Sequence, residues 1–159
     1  MHNLIHQYYM RKNTAIPIIR FLLIFLFVYA ATGKLAGHAV FRVQLTRFPV
    51  LGGYAGFLSW CIPVAECMVV VLLFIPRYVP AGLYASASLL FLFTAFLIAM
   101  VCFDTNLPCS CGGVIAQLSW KEHIAFNVFF LALSLSGIYL KRKTIDRVTV
   151  FSKPGNTYP

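Results

Sequence analysis

Four long stretches of the chain are nearly free of polar residues. They run roughly Ile16–Leu35, Phe57–Ile75, Val79–Phe103 and Glu122–Leu140. Each is close to the ~20 residues an α-helix needs to cross a hydrocarbon core. The third carries no charged residue at all. The pattern predicts an all-α, polytopic membrane protein: a four-transmembrane-helix bundle. The connections are short except Ala36–Gly56, which mixes Gly, Arg, Leu and Phe and is expected on the membrane surface. Residues 1–15 read as an N-terminal tail, 16–140 as one membrane domain and 141–159 as a basic C-terminal tail. The first stretch is expected to be a retained helix. Val28-Tyr29-Ala30 would pass as a signal-peptide cleavage site, but the polar leader is long and the apolar run exceeds the ~7–15 residues of a signal core.

Composition agrees and narrows the class. Of 159 residues, 60% are hydrophobic and 11% charged, with mean hydropathy +0.82. Soluble domains are nearer ~45–50% apolar and ~25% charged. A soluble enzyme and a disordered chain are excluded, and five Cys are too few to mark a disulfide-stapled module. The net charge of +9 could indicate nucleic acid or an anionic membrane. The apolar content decides for the lipid bilayer, and no nucleic-acid partner is expected.

The basic residues then give orientation. Arg11, Lys12, Arg20, Arg77, Lys141, Arg142, Lys143, Arg147 and Lys153 fall on one side. Lys34, Arg42, Arg47 and Lys121 fall on the other. Both termini are expected in the cytoplasm (N-in/C-in), with Ala36–Gly56 and Asp104–Ser119 facing outward. A bacterial inner membrane is the expected location.

The outward connection between the third and fourth spans contains Pro108-Cys109-Ser110-Cys111-Gly112-Gly113. Two thiols one residue apart can react with each other or with an outside thiol. The ring they would close is small and strained, hence easily reduced. Pro108 fixes the entry angle, and the Gly pair leaves the sulfurs open to approach. A static loop staple and a metal-binding pair are the alternatives. Cys61 and Cys102 fall near the same membrane level and could form a second pair in a relay. They could equally be small apolar packing residues, which is the expectation for Cys67. Cys67 lies about 9 Å deeper than Cys61, at 1.5 Å per residue, and on a different helix face.

Glu66 lies near the middle of the second span, where a charge costs roughly 2.5–3.5 kcal/mol, so function is the default reading. Lys34 is the nearest opposite charge by depth. A structural hydrogen bond between helices is the alternative, against proton handling or a quinone site. His123 and Asn127 share a face of the fourth span at i and i+4. His123, near the outer end, could stabilise a thiolate. His2, His6 and His38 show no ligand spacing and are expected to be solvated.

Taken together, these residues resemble the DoxX-like superfamily, more closely its MauE branch of redox-associated membrane proteins. The resemblance is carried by Gly33-Lys34-Leu35, by Pro63-x-x-Glu66, and by the Pro108–Gly113 motif followed by Trp120-x-x-His123-x-x-x-Asn127. It covers roughly residues 16–140 and implies a four-helix inner-membrane bundle. It also implies association with disulfide formation in a periplasmic protein beside a thioredoxin-like partner. The architecture is similar, too, to that of quinone-linked disulfide-generating proteins, which use Cys-x-x-Cys where this chain has Cys-x-Cys.

The first expectation is therefore a thiol–disulfide carrier. Cys109 and Cys111 would exchange with a thioredoxin-fold periplasmic partner, and Cys61 and Cys102 would pass electrons toward a quinone near Glu66, Lys34 and Asn127. A non-catalytic anchor or assembly subunit of an envelope complex is the second. A Cu- or Zn-handling protein using Cys109, Cys111 and His123 is the third.

Overall fold

A computed structural model describes residues 15–46, 51–103 and 120–151, with side chains described for 15–46, 51–99 and 121–143. Its helices are α1 (Ala15–Ala36), α2 (His38–Thr46), α3 (Ala55–Phe74), α4 (Val79–Phe103) and α5 (Trp120–Phe151). Short 3-10 turns at Gly52–Tyr54 and Pro76–Tyr78 lead into α3 and α4. Among the described residues there is no strand. Four segments, Ala15–Ala36, Gly52–Phe74, Pro76–Ala99 and Lys121–Lys143, are long and apolar enough to cross a membrane. The protein is an all-α, multi-pass membrane protein. Helices are the economical solution, because hydrocarbon offers no partner for a free backbone N–H or C=O. Pro17 and Pro80 fit this, lying in first turns, where their missing N–H leaves no helical bond unmade, whereas Pro63 lies inside α3 and removes one.

Each helix packs against the next and α5 returns to α1, so the four spans form a ring. Leu23 and Phe27 of α1, Leu73 of α3 and Leu83 of α4 are fully buried at its centre. Close approach comes from small residues. A Cβ on Gly82 would lie 2.9 Å from the backbone nitrogen of Leu73, so α3 and α4 touch there through glycine. Gly82→Ala should force the two helices apart and cost about 1–3 kcal/mol, as overpacking does. Thermal unfolding in detergent would measure it. Buried hydroxyls are satisfied inside the bundle. Ser86 and Thr94 donate to carbonyls four residues back, and Ser134 of α5 donates across to the Leu83 carbonyl at 2.9 Å.

The described residues of Ala36–Gly56 are largely helical: α1 gives way to α2 across a one-residue break at Gly37, bridged by Gly37 N–H to Gly33 O at 3.1 Å and Phe41 N–H to Gly37 O at 2.9 Å. α2 therefore prolongs α1 and runs antiparallel to the start of α3, with His38 beside Ser59 and Arg42 beside Gly56. At the opposite end Arg20 donates to the Phe74 carbonyl at 2.6 Å, capping the last turn of α3. The final helix does not stop at Leu140. It runs 32 residues to Phe151, about 48 Å at 1.5 Å per residue, beyond a ~30 Å hydrocarbon core. Arg20, Arg77, Lys141, Arg142 and Lys143 gather at one end of the bundle, called here the basic end. α1 finishes and α5 begins at the other, the loop end.

Candidate functional site

Lys34 enters the bundle from the third-last residue of α1. Its Nζ donates to Glu66 Oε1 at 2.6 Å and lies 3.4 Å from the Ala30 carbonyl. Glu66 sits twelve residues into α3, on the stripe formed by Ala55, Ser59, Pro63, Val69 and Leu73, and is only 1% exposed. The long lysine side chain bridges the difference in depth that the sequence implied. Two aromatic faces flank the ammonium: Phe93 of α4 at 5.6 Å and Phe41 of α2 at 6.0 Å. Such rings stabilise a cation that has left water.

One feature of the pair is unbalanced. Glu66 Oε2 is buried and has no hydrogen-bond partner among the described residues. An ionised carboxylate normally fills both oxygens when buried, because an unmet acceptor carries its full desolvation cost. Lys34, by contrast, is 22% exposed along its side chain.

α5 contributes the fourth wall. His123 is half-buried and lies within electrostatic range of the Lys34 ammonium. Asn127, one turn on, is buried. Lys34, Glu66 and His123, three of the expected site residues, therefore lie near one another, and Asn127 follows His123 by one turn on α5.

The cysteines are distributed otherwise. Cys61 and Cys67 are unpaired and both exposed on the outer surface of α3. Neither is an interior packing residue, and Cys61 points away from the stripe that carries Glu66. Cys102 lies in the last turn of α4, but its side chain is outside the described residues, as are Cys109 and Cys111 entirely.

His38 departs from expectation. It is half-buried rather than solvated. Its Nε2 lies 3.1 Å from Ser59 Oγ, and its ring stacks on Trp60 at 4.3 Å. The Ser59 hydroxyl also lies 2.8 Å from the Gly56 carbonyl, to which it can donate. Phe41 and Phe93 are the site residues that sequence reasoning missed. Phe41 follows Lys34 by seven residues, two turns on the same face, a signal that exists only if the helix continues through Gly37.

Residues 12–140 match the family described as Methylamine utilisation protein MauE. The chain belongs to the MauE family. No curated protein and no solved structure matches it. The matched region takes in the first three spans and most of the fourth, the Lys34–Glu66 pair, the Cys-x-Cys connection and the His123–Asn127 turn. In this MauE-family protein the Lys34–Glu66 pair lies near mid-span, twelve residues into α3 and eight from its end. At the loop end Phe103 and Trp120, the described residues bounding the Cys-x-Cys connection, close α4 and open α5.

Proposed function

We propose that this MauE-family protein is a thiol–disulfide exchange protein of the bacterial inner membrane. Cys109 and Cys111 exchange electrons with a thioredoxin-fold partner in the periplasm, in support of disulfide formation or maturation of envelope proteins. The observation that carries the reading is the buried Lys34–Glu66 pair near mid-span, with His123 in electrostatic range of Lys34 on the helix that follows the Cys-x-Cys connection. A purely structural bundle has no need of an ion pair with an unmet oxygen there. Exchange proceeds when a thiolate attacks a disulfide sulfur, and nearby positive charge or an imidazole raises the thiolate fraction. His123, the fourth residue of α5, would serve that role. The family description supports a place in the methylamine utilisation system, and the thiol chemistry is independent of which client is served.

The test is an alkylation mass shift in intact cells with a permeabilised outer membrane. An impermeant maleimide should add two labels at Cys109 and Cys111 only after reduction. That result supports both the outward loop and a reversible bridge. Identical labelling before and after reduction would favour the assembly-subunit reading. Labelling only after inner-membrane lysis would reverse the orientation.

A further inference from the structure

Pro63 interrupts the hydrogen bonding of α3 beside its one buried charge. Having no N–H, it leaves the Ser59 carbonyl without its helical partner. Ser59, Pro63 and Glu66 all lie on the buried stripe of the helix. Ser59 and Glu66 are seven residues apart, two turns with a phase difference of about 20°, and so share a face. The rise between them is about 10.5 Å along the axis, and both groups shorten it. A helical carbonyl projects toward the C-terminal end, while a side chain leans toward the N-terminal end. The freed carbonyl and the Glu66 carboxylate therefore approach each other across the Pro63 turn. Oε2 of that carboxylate is buried and has no hydrogen-bond partner among the described residues.

We propose that this turn holds an ordered internal water, which donates one hydrogen to the Ser59 carbonyl and the other to Glu66 Oε2, and so keeps a carboxylate deep in the span in contact with exchangeable protons. The chemistry of the two oxygens selects the occupant. Both are acceptors, so the ligand must donate twice, and water does so while remaining neutral. A second cation would be repelled by the Lys34 ammonium, already 2.6 Å from Oε1. Size selects it as well. Glu66 is 1% exposed, which leaves room at Oε2 for a very small molecule only. A water between two acceptors spans about 5.5 Å, twice the length of one O–H···O bond.

A buried water typically makes about three hydrogen bonds, and Lys34 supplies the third. Its ammonium has three N–H groups, of which those directed at Glu66 Oε1 and the Ala30 carbonyl account for two. Lys34 is also the way in, since its side chain is 22% exposed and the layer is not sealed. None of this depends on the thiol chemistry, and a failed exchange function would leave the water where it is.

Glu66 and Glu122 are the only glutamates in the chain, which permits a selective test. The full chain, isotope-labelled at the glutamate carboxyl carbon and carrying Glu122→Gln, is studied in lipid bilayers by solid-state NMR. Magnetisation is passed from water protons to the single labelled carboxyl. Transfer to Glu66 is expected although the side chain is buried. Pro63→Ala returns a backbone N–H to the Ser59 carbonyl and keeps both Lys34 and Glu66, so transfer should slow roughly threefold or more as the water loses an acceptor. Ammonium protons relay magnetisation too, but in both proteins, so the difference between them reads the water. Ser59→Ala removes the hydroxyl and keeps the carbonyl, and should match the parent. Absence of transfer to Glu66 in the parent would overturn the proposal, as would equal transfer in the Pro63→Ala protein. So would a loss in Ser59→Ala as large as in Pro63→Ala, because the hydroxyl rather than the freed carbonyl would then hold the water.

Discussion

Lys34→Met should be the most damaging single substitution in the membrane domain, costing roughly 3–5 kcal/mol, the usual penalty for breaking a buried ion pair from one side. The reason lies in what is left behind. Glu66 is 1% exposed on a short side chain, so it cannot reach the interface once its cation is gone. Glu66→Leu should cost less, because Lys34 is near the end of α1 and can extend its ammonium toward the loop end. The double variant Lys34→Met with Glu66→Leu should recover most of the loss, since the pair itself repays little more than its own desolvation. Unfolding of the four proteins in mixed micelles gives the full cycle. Strict additivity, with the double variant worse than either single, would mean that the two side chains do not act as a pair.

Trapping a partner is the second large effect. Thiol–disulfide exchange passes through a mixed disulfide that a second thiol resolves, so removing the resolving thiol strands the intermediate. Cys111 is expected to attack. The adjacent Gly112-Gly113 gives the freest approach, and Cys111 is nearer in sequence to His123. Cys109→Ser should then accumulate a DTT-sensitive adduct with a thioredoxin-fold protein, seen on non-reducing gels. Cys111→Ser should show little adduct, and both variants should lose nearly all function. The opposite pattern exchanges the roles of the two thiols. Retained function in both, with no adduct, would remove the redox reading.

Much of this architecture is legible in the sequence because hydrocarbon is an exacting solvent. Four apolar runs of span length leave few alternatives to four helices, and a carboxylate within one of them is costly enough to announce itself. Lys34 as the partner of Glu66 could be anticipated from depth, and its 2.6 Å contact agrees. What could not be read depends on local geometry. Gly37 looks like a helix breaker, yet α2 resumes one residue later and the two bonds made by Gly37 carry the helical path across. That single continuity brings His38 to Ser59 and Trp60, and Phe41 to Lys34. The outward placement of Cys61 and Cys67 was hidden too. Helix faces are assigned by apolar contrast, and α3 is apolar nearly all round.

The pairing of α1 with α3 bears on how the chain enters the membrane at synthesis. Lys34 leaves the ribosome 32 residues ahead of Glu66. During that interval the first helix holds an ammonium that can reach toward the interface, whereas the second brings a carboxylate that cannot. That carboxylate is costly at mid-bilayer when alone, and it is relieved when the two segments meet. The first two spans are therefore best released into lipid from the insertion machinery as a preassembled hairpin, and Glu66 marks the moment in translation when that release becomes favourable.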